Sequence, residues 1–130
     1  LRAHTIALFE LINAETAPLQ TPRAQKKHSD DQKARSEFAA HFIREGLRGF
    51  EAMILKSGPA LGARADAKFC VGDSVTAADL FLIPQVYNAA RYNVFVDKEF
   101  PKLWSIYQNC MATEACKRAA PDAQVDAVKS

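Results

Sequence analysis

The stretch Val75-Thr76-Ala77-Ala78-Asp79-Leu80-Phe81-Leu82-Ile83-Pro84-Gln85-Val86-Tyr87 decides the fold. Thr76 stands where an N-cap belongs. Its hydroxyl can accept from the amide of Asp79 while the Asp79 carboxylate reaches back to the amide of Thr76, a reciprocal box that fixes where the helix begins. Val75 and Leu80 flank the box as a hydrophobic staple. From Leu80 onward the stretch is apolar almost all round, which a surface helix does not tolerate, so the pattern predicts a buried helix through the middle of a domain. Pro84 lacks an amide and crowds the carbonyl of Leu80, which predicts a kink.

Working outward, both flanks read as helix. Upstream, Leu1, Leu8, Leu11, Ile12 and Leu19 fall on one stripe of an amphipathic helix over residues 1–19. Glu15 shares that stripe, and either lines a polar cleft or is exposed near a helix end. No capping residue precedes Leu1, as expected of a chain whose upstream part has been removed. The segment 20–31, with Pro22, Arg23, Lys26, Lys27 and His28, reads as a solvated loop. Ser29 and Gln32 have capping-box spacing and open a long helix with Phe38, Ala39, Phe42, Ile43, Gly46, Leu47, Phe50, Met53 and Ile54 on its apolar side. Gly58-Pro59 should stop it, and a loop runs to Lys68. Downstream, Pro101 suits a first helical position, and Leu103, Ile106, Tyr107, Cys110 and Met111 recur at helical spacing. Beyond Ala120-Pro121 the tail is polar and expected to fray.

Composition agrees with an all-α chain: 23 alanines stand against 7 Val, 6 Ile and 5 Thr, and only 5 Gly and 6 Pro punctuate 130 residues. One domain, 1–130, accounts for the length. A net charge of +2 gives no electrostatic argument for nucleic acid, and no run reaches the ~18 apolar residues of a membrane span. Cys70, Cys110 and Cys116 form no C-x-x-C pair, so reduced thiols in a cytoplasmic protein are expected, with no metal site. Cys70 and Cys110 fall on apolar positions and read as inert core thiols; the place of Cys116 is open. His4, His28 and His41 are scattered and read as surface residues. No phosphate loop and no zinc-protease motif occurs, so no catalytic residue is assigned in this chain.

The run from Phe69 to Val86 closely resembles the signature of the C-terminal helical domain of glutathione transferases. Pro84-Gln85-Val86, Asn88-Ala89-Ala90-Arg91-Tyr92 and Ala17-Pro18-Leu19-Gln20 narrow the resemblance to the zeta class, that of the maleylacetoacetate isomerases. The resemblance covers nearly the whole chain. It implies an all-α bundle with a buried, N-capped central helix, Thr76 and Asp79 being its structural cap. It also implies a homodimer, and an N-terminal thioredoxin-like domain, absent from this chain, that holds most of the glutathione cofactor and activates its thiol. Zeta enzymes isomerise a conjugated cis double bond to trans by addition, rotation and elimination, which regenerates glutathione.

The substrate such an enzyme implies is a small electrophilic carboxylic acid, which needs a cation. Arg91 matches the family's arginine near the end of the core helix, and a guanidinium offers two parallel donors to a carboxylate. Read as a residue alone, Arg91 is equally a surface arginine favoured by the C-terminal dipole. Ala17 departs from the polar residue many zeta members carry just before the Pro-Leu pair. Glutathione transferase-like helical domains also serve as non-catalytic interaction modules in translation factors and aminoacyl-tRNA synthetases, which is the alternative reading.

Overall fold

In the computed structural model, which describes residues 1–64 and 66–127, every regular element is helical. The elements are α1 (Arg2–Glu10), α2 (Pro22–His28), α3 (Gln32–Ala52), α4 (Gly58–Ala60), α5 (Ala77–Ala90), α6 (Val96–Glu99), α7 (Pro101–Met111) and α8 (Glu114–Ala119). Between α1 and α2 the chain stays coiled, first as a wide π turn over Leu11–Thr16 and then as a 3-10 turn over Ala17–Gln20. Helix α3 likewise widens into a π turn over Met53–Ser57 and runs on into α4, so Gly58-Pro59 begins one more short turn and does not mark the stop.

The core lies between α1, α3, α5 and α7. Leu8 and Ile12 from the first helix meet Ile43, Leu47 and Phe50 of α3, Leu82, Val86 and Ala89 of α5, and Leu103, Ile106 and Cys110 of α7. Burying a side chain of this size is worth roughly 1.5–3 kcal/mol, so these residues supply most of the drive to fold. The face of α3 is narrower than its sequence suggests, for Phe38, Phe42 and Met53 are only half-buried.

Helix α5 packs its Ala78, Asp79, Leu82, Gln85, Val86 and Ala89 side inward. Its other side is not covered: Leu80 is 59% and Tyr87 45% exposed, and Pro84 lies on the same bare strip. The apolar-all-round pattern thus marks a helix buried on one face and carrying an apolar strip on the other. The Val75–Leu80 staple is not shut away, since both residues remain exposed.

Three local readings need correction. The segment 20–31 is not a plain loop: Thr21 accepts from the Ala24 amide at 3.3 Å and Pro22 takes the first position of α2. The cap of α3 is Asp31, whose carboxylate accepts from the Ala34 amide at 2.7 Å, while the Ser29 hydroxyl accepts from the Asp31 amide at 3.1 Å one step outside the helix. His4 is not a surface residue. It is 3% exposed on the Leu8–Ile12 stripe, its Nε2 has no partner among the described residues, and burial holds its pKa below the ordinary imidazole value. His28 and His41 are exposed as expected, and so is Glu15.

One close approach fixes how α3 meets the first π turn. A Cβ on Gly46 would sit 2.0 Å from Thr16 Oγ1, so only glycine lets the backbones come this near. The Thr16 hydroxyl donates to the Leu11 carbonyl at 2.9 Å within that turn.

Candidate functional site

The start of α5 is built around one carboxylate. Thr76 and Asp79 form the expected capping box, and Asp79 carries most of it. The side chain, with 0% exposure, accepts from the Thr76 amide, the Thr76 hydroxyl and the Cys70 amide, each at 2.8 Å, with the Cys110 thiol at 3.8 Å. No ion pair among the described residues involves it. Direct donors and the positive end of the α5 dipole stand in for a cation. Burial, then the Asp79 charge, raises the pKa of Cys70 and pushes that of Cys110 up to about 12, so both are protonated core thiols.

The other end of α5 opens on a groove of about 390 Å³. Ile12, Asn13, Ala17, Gln20 and Thr21 form one bank; Phe81, Pro84, Gln85 and Asn88 form the other. The groove has an apolar wall and a carboxamide wall, with no charged side chain in its lining. Across it, Gln20 Nε2 donates to Gln85 Oε1 at 2.7 Å, and Gln85 Nε2 returns a bond to Gln20 Oε1 at 3.2 Å. Asn88 Nδ2 donates to the same Gln20 oxygen at 2.6 Å, and Gln20 Nε2 also reaches the Thr16 carbonyl at 3.1 Å. Gln25, buried behind them, donates to the Gln20 carbonyl at 2.6 Å and to the Tyr92 hydroxyl at 2.8 Å. Sequence reading singles out Ala17 and the Pro84-Gln85 pair but gives no role to Gln20 and Asn88, which meet across 68 residues of chain, or to Gln25, which meets Tyr92 across 67.

Arg91 is the C-cap of α5, exposed, with its guanidinium 5.5 Å over the Tyr87 ring. It is not in the groove lining. It stands one turn beyond Asn88 and shares a second, aromatic recess with Tyr87, Trp104 and Tyr107. No ion pair among the described residues holds it. Its charge is therefore available to an anion arriving at the end of α5. The cations along α3 differ: Arg44 is held bidentately by Glu99 at 2.7 and 3.3 Å, and Arg48 is paired with Glu45. Cys116 is half-buried beside Leu80, Ile83 and Met111.

The capped inner helix, the amide groove at its far end and the arginine beyond it belong to one all-α helical domain. The family model described as glutathione S-transferase, C-terminal domain, matches residues 17–118, and the chain belongs to that family. A maleylacetoacetate isomerase of Rhizobium meliloti (strain 1021) is 45% identical over 93 residues, which are 72% of this chain and 40% of that protein. A crystal structure of maleylacetoacetate isomerase from Anaeromyxobacter dehalogenans 2CP-1, with dicarboxyethyl glutathione and citrate bound in its active site, superposes with a TM-score of 0.83. It is 32% identical and covers 98% of this chain and 54% of its own. The holo structure of a maleyl pyruvate isomerase, described as a bacterial zeta-class glutathione S-transferase, gives a TM-score of 0.84 at 28% identity, over 98% of this chain and 58% of its own. The chain thus spans about half the length of the relatives it matches.

Proposed function

We propose that this chain forms the electrophile side of a zeta-type glutathione transferase that isomerises the cis double bond of a small keto carboxylic acid, as a maleylacetoacetate isomerase does. The observation that carries the reading is Arg91, a cation without an ion-pair partner among the described residues, placed at the end of α5 one turn beyond an uncharged amide groove. The likeness over 98% of the chain to an isomerase holding a dicarboxyethyl conjugate and citrate supports it. These relatives favour the transferase over a non-catalytic interaction module of a translation factor or synthetase.

The lining does not fit glutathione by itself. Glutathione carries two carboxylates and an ammonium, and the groove offers neutral amides. Holding the cofactor therefore falls mainly to the N-terminal thioredoxin-like domain of the parent protein, where bound glutathione supplies the thiol. This chain orients the acid: Arg91 takes its carboxylate, Phe81 and Pro84 shield its carbon chain from water, and the amides meet its oxygens. A homodimer in the cytoplasm completes the reading. None of the described helices is long and apolar enough to cross a membrane.

The test is Arg91→Ala in the protein joined to its glutathione-binding half. A charge-assisted hydrogen bond is worth roughly 1.5–3 kcal/mol, so turnover of a carboxylate-bearing cis substrate should fall about ten- to over a hundredfold. Arg91→Lys should recover only part of this, since an ammonium keeps the charge and loses the fork. A neutral electrophile should be little affected. Equal loss on charged and neutral electrophiles would withdraw the anchor role.

A further inference from the structure

The orientation of the carboxamides facing Gln20 in the groove is set by a single backbone group. The Thr16 carbonyl can only accept, so the end of Gln20 that meets it at 3.1 Å is Nε2. Gln20 Oε1 then points the other way, and the atoms that meet it, from Gln85 at 3.2 Å and Asn88 at 2.6 Å, are N–H groups. Gln20 is complete, with two bonds given and two taken. Asn88 is not. Half-buried in the groove lining, it gives one N–H to Gln20 and keeps a second N–H and its Oδ1 without partners among the described residues. Its donor end cannot be exchanged for its acceptor end, because Gln20 would then meet oxygen with oxygen.

Asn88 and Arg91 are three positions apart on one helix, where neighbouring Cβ atoms lie ~5–6 Å from each other. We propose that Asn88 determines the specificity of this groove: its free N–H donates to a ketone oxygen of the ligand while Arg91 holds the carboxylate, so the groove selects keto acids over simple carboxylates. The proposal rests on the reading of the groove as the acid-binding side of a transferase, and it names the second oxygen that side recognises.

Titration of the 130-residue chain followed by NMR, with sodium levulinate and sodium valerate as probes, tests it. The two acids have the same chain length and differ only in the ketone. The chain should bind levulinate more tightly, by the roughly three- to tenfold that one neutral hydrogen bond provides. Asn88→Ala should erase that preference and leave valerate affinity nearly unchanged, and Asn88→Asp should weaken both acids through its charge. Arg91→Ala should weaken both acids alike. Gln25→Met removes bonds from the same amide network at the Gln20 backbone and the Tyr92 hydroxyl, outside the side-chain contacts of Asn88, so it should loosen the fold yet keep the preference. Preference that survives Asn88→Ala, or that disappears in Gln25→Met, overturns the role of Asn88 alone. Failure of either acid to bind, or indifference of both to Arg91→Ala, overturns the acid-site reading, and the proposal falls with it.

Discussion

At its first turn α5 hangs on a carboxylate whose farthest backbone partner, the Cys70 amide, is nine residues away. Toward its last turns it is tied by carboxamides whose partners lie 65 and 68 residues upstream. The first arrangement is strong and local: one fully buried carboxylate collects several donors and is itself outside the grooves described above. The second is weaker per bond, neutral and long-range, and it borders open space. The helix is held by a buried carboxylate at its start, and by neutral polar groups where a groove opens. Each end can be challenged separately.

The largest effect is expected at Asp79. Asp79→Ala removes the N3 half of the capping box and orphans the Cys70 and Thr76 amides at about 1–3 kcal/mol each, so a loss of about 2–6 kcal/mol should appear in urea melts. Asp79→Asn keeps the shape and one acceptor and should lose less. If melts of Asp79→Ala coincide with the parent, the carboxylate does not hold the helix, and the contrast between the ends disappears.

Gly46→Ala addresses the amide end. The new methyl would collide with Thr16, whose carbonyl orients Gln20, and overpacking of this kind costs about 1–3 kcal/mol. Thr16→Ala in the same chain removes the two nearest atoms and should restore part of the stability. The side-chain amide resonance of Gln20 should shift in Gly46→Ala and stay in place in Asp79→Ala below its unfolding transition. A shift in both would mean the two ends are one cooperative unit.

The smallest effect belongs to a charge outside both ends. The Arg44 guanidinium, and then the Phe95 amide, hold Glu99 below its ordinary value of 4.5. Because the folded-state pKa is the lower one, the contribution is complete above the unfolded value and is lost as pH falls through the folded one. Both side chains are about one-third exposed, so screening leaves less than ~1 kcal/mol. Melts of Glu99→Gln should differ slightly from the parent at neutral pH and converge with it below the carboxylate range.

The same contrast explains what can be read from sequence. The Thr76–Asp79 box is legible because cap and partner are three residues apart and the reason for their spacing is local. The pairing of Gln20 with Gln85 has no local signature, since a glutamine near the end of a stripe carries no sign of what it meets. Helix α2 escapes a sequence reading although Thr21-Pro22 is a fair start signal, because Arg23, Lys26 and Lys27 hide any apolar period. His4 falls on the Leu8–Ile12 stripe by spacing and its polarity argues for the surface, yet the packing against Gly58 shuts it in. Arg91 can be placed at the end of its helix; that Tyr87 lies beneath it is a consequence of their separation by one turn.

The cysteines turn the carboxylate end of α5 into a clock. Cys70 and Cys110 both face Asp79, are closed to solvent and hold their protons far above neutral pH, whereas Cys116 lies partly open on α8. A thiol reagent added to the native chain should mark Cys116 at once. It should mark the other two only as often as the start of α5 lets go, so the slow phase of labelling counts those openings in a protein carrying no added probe.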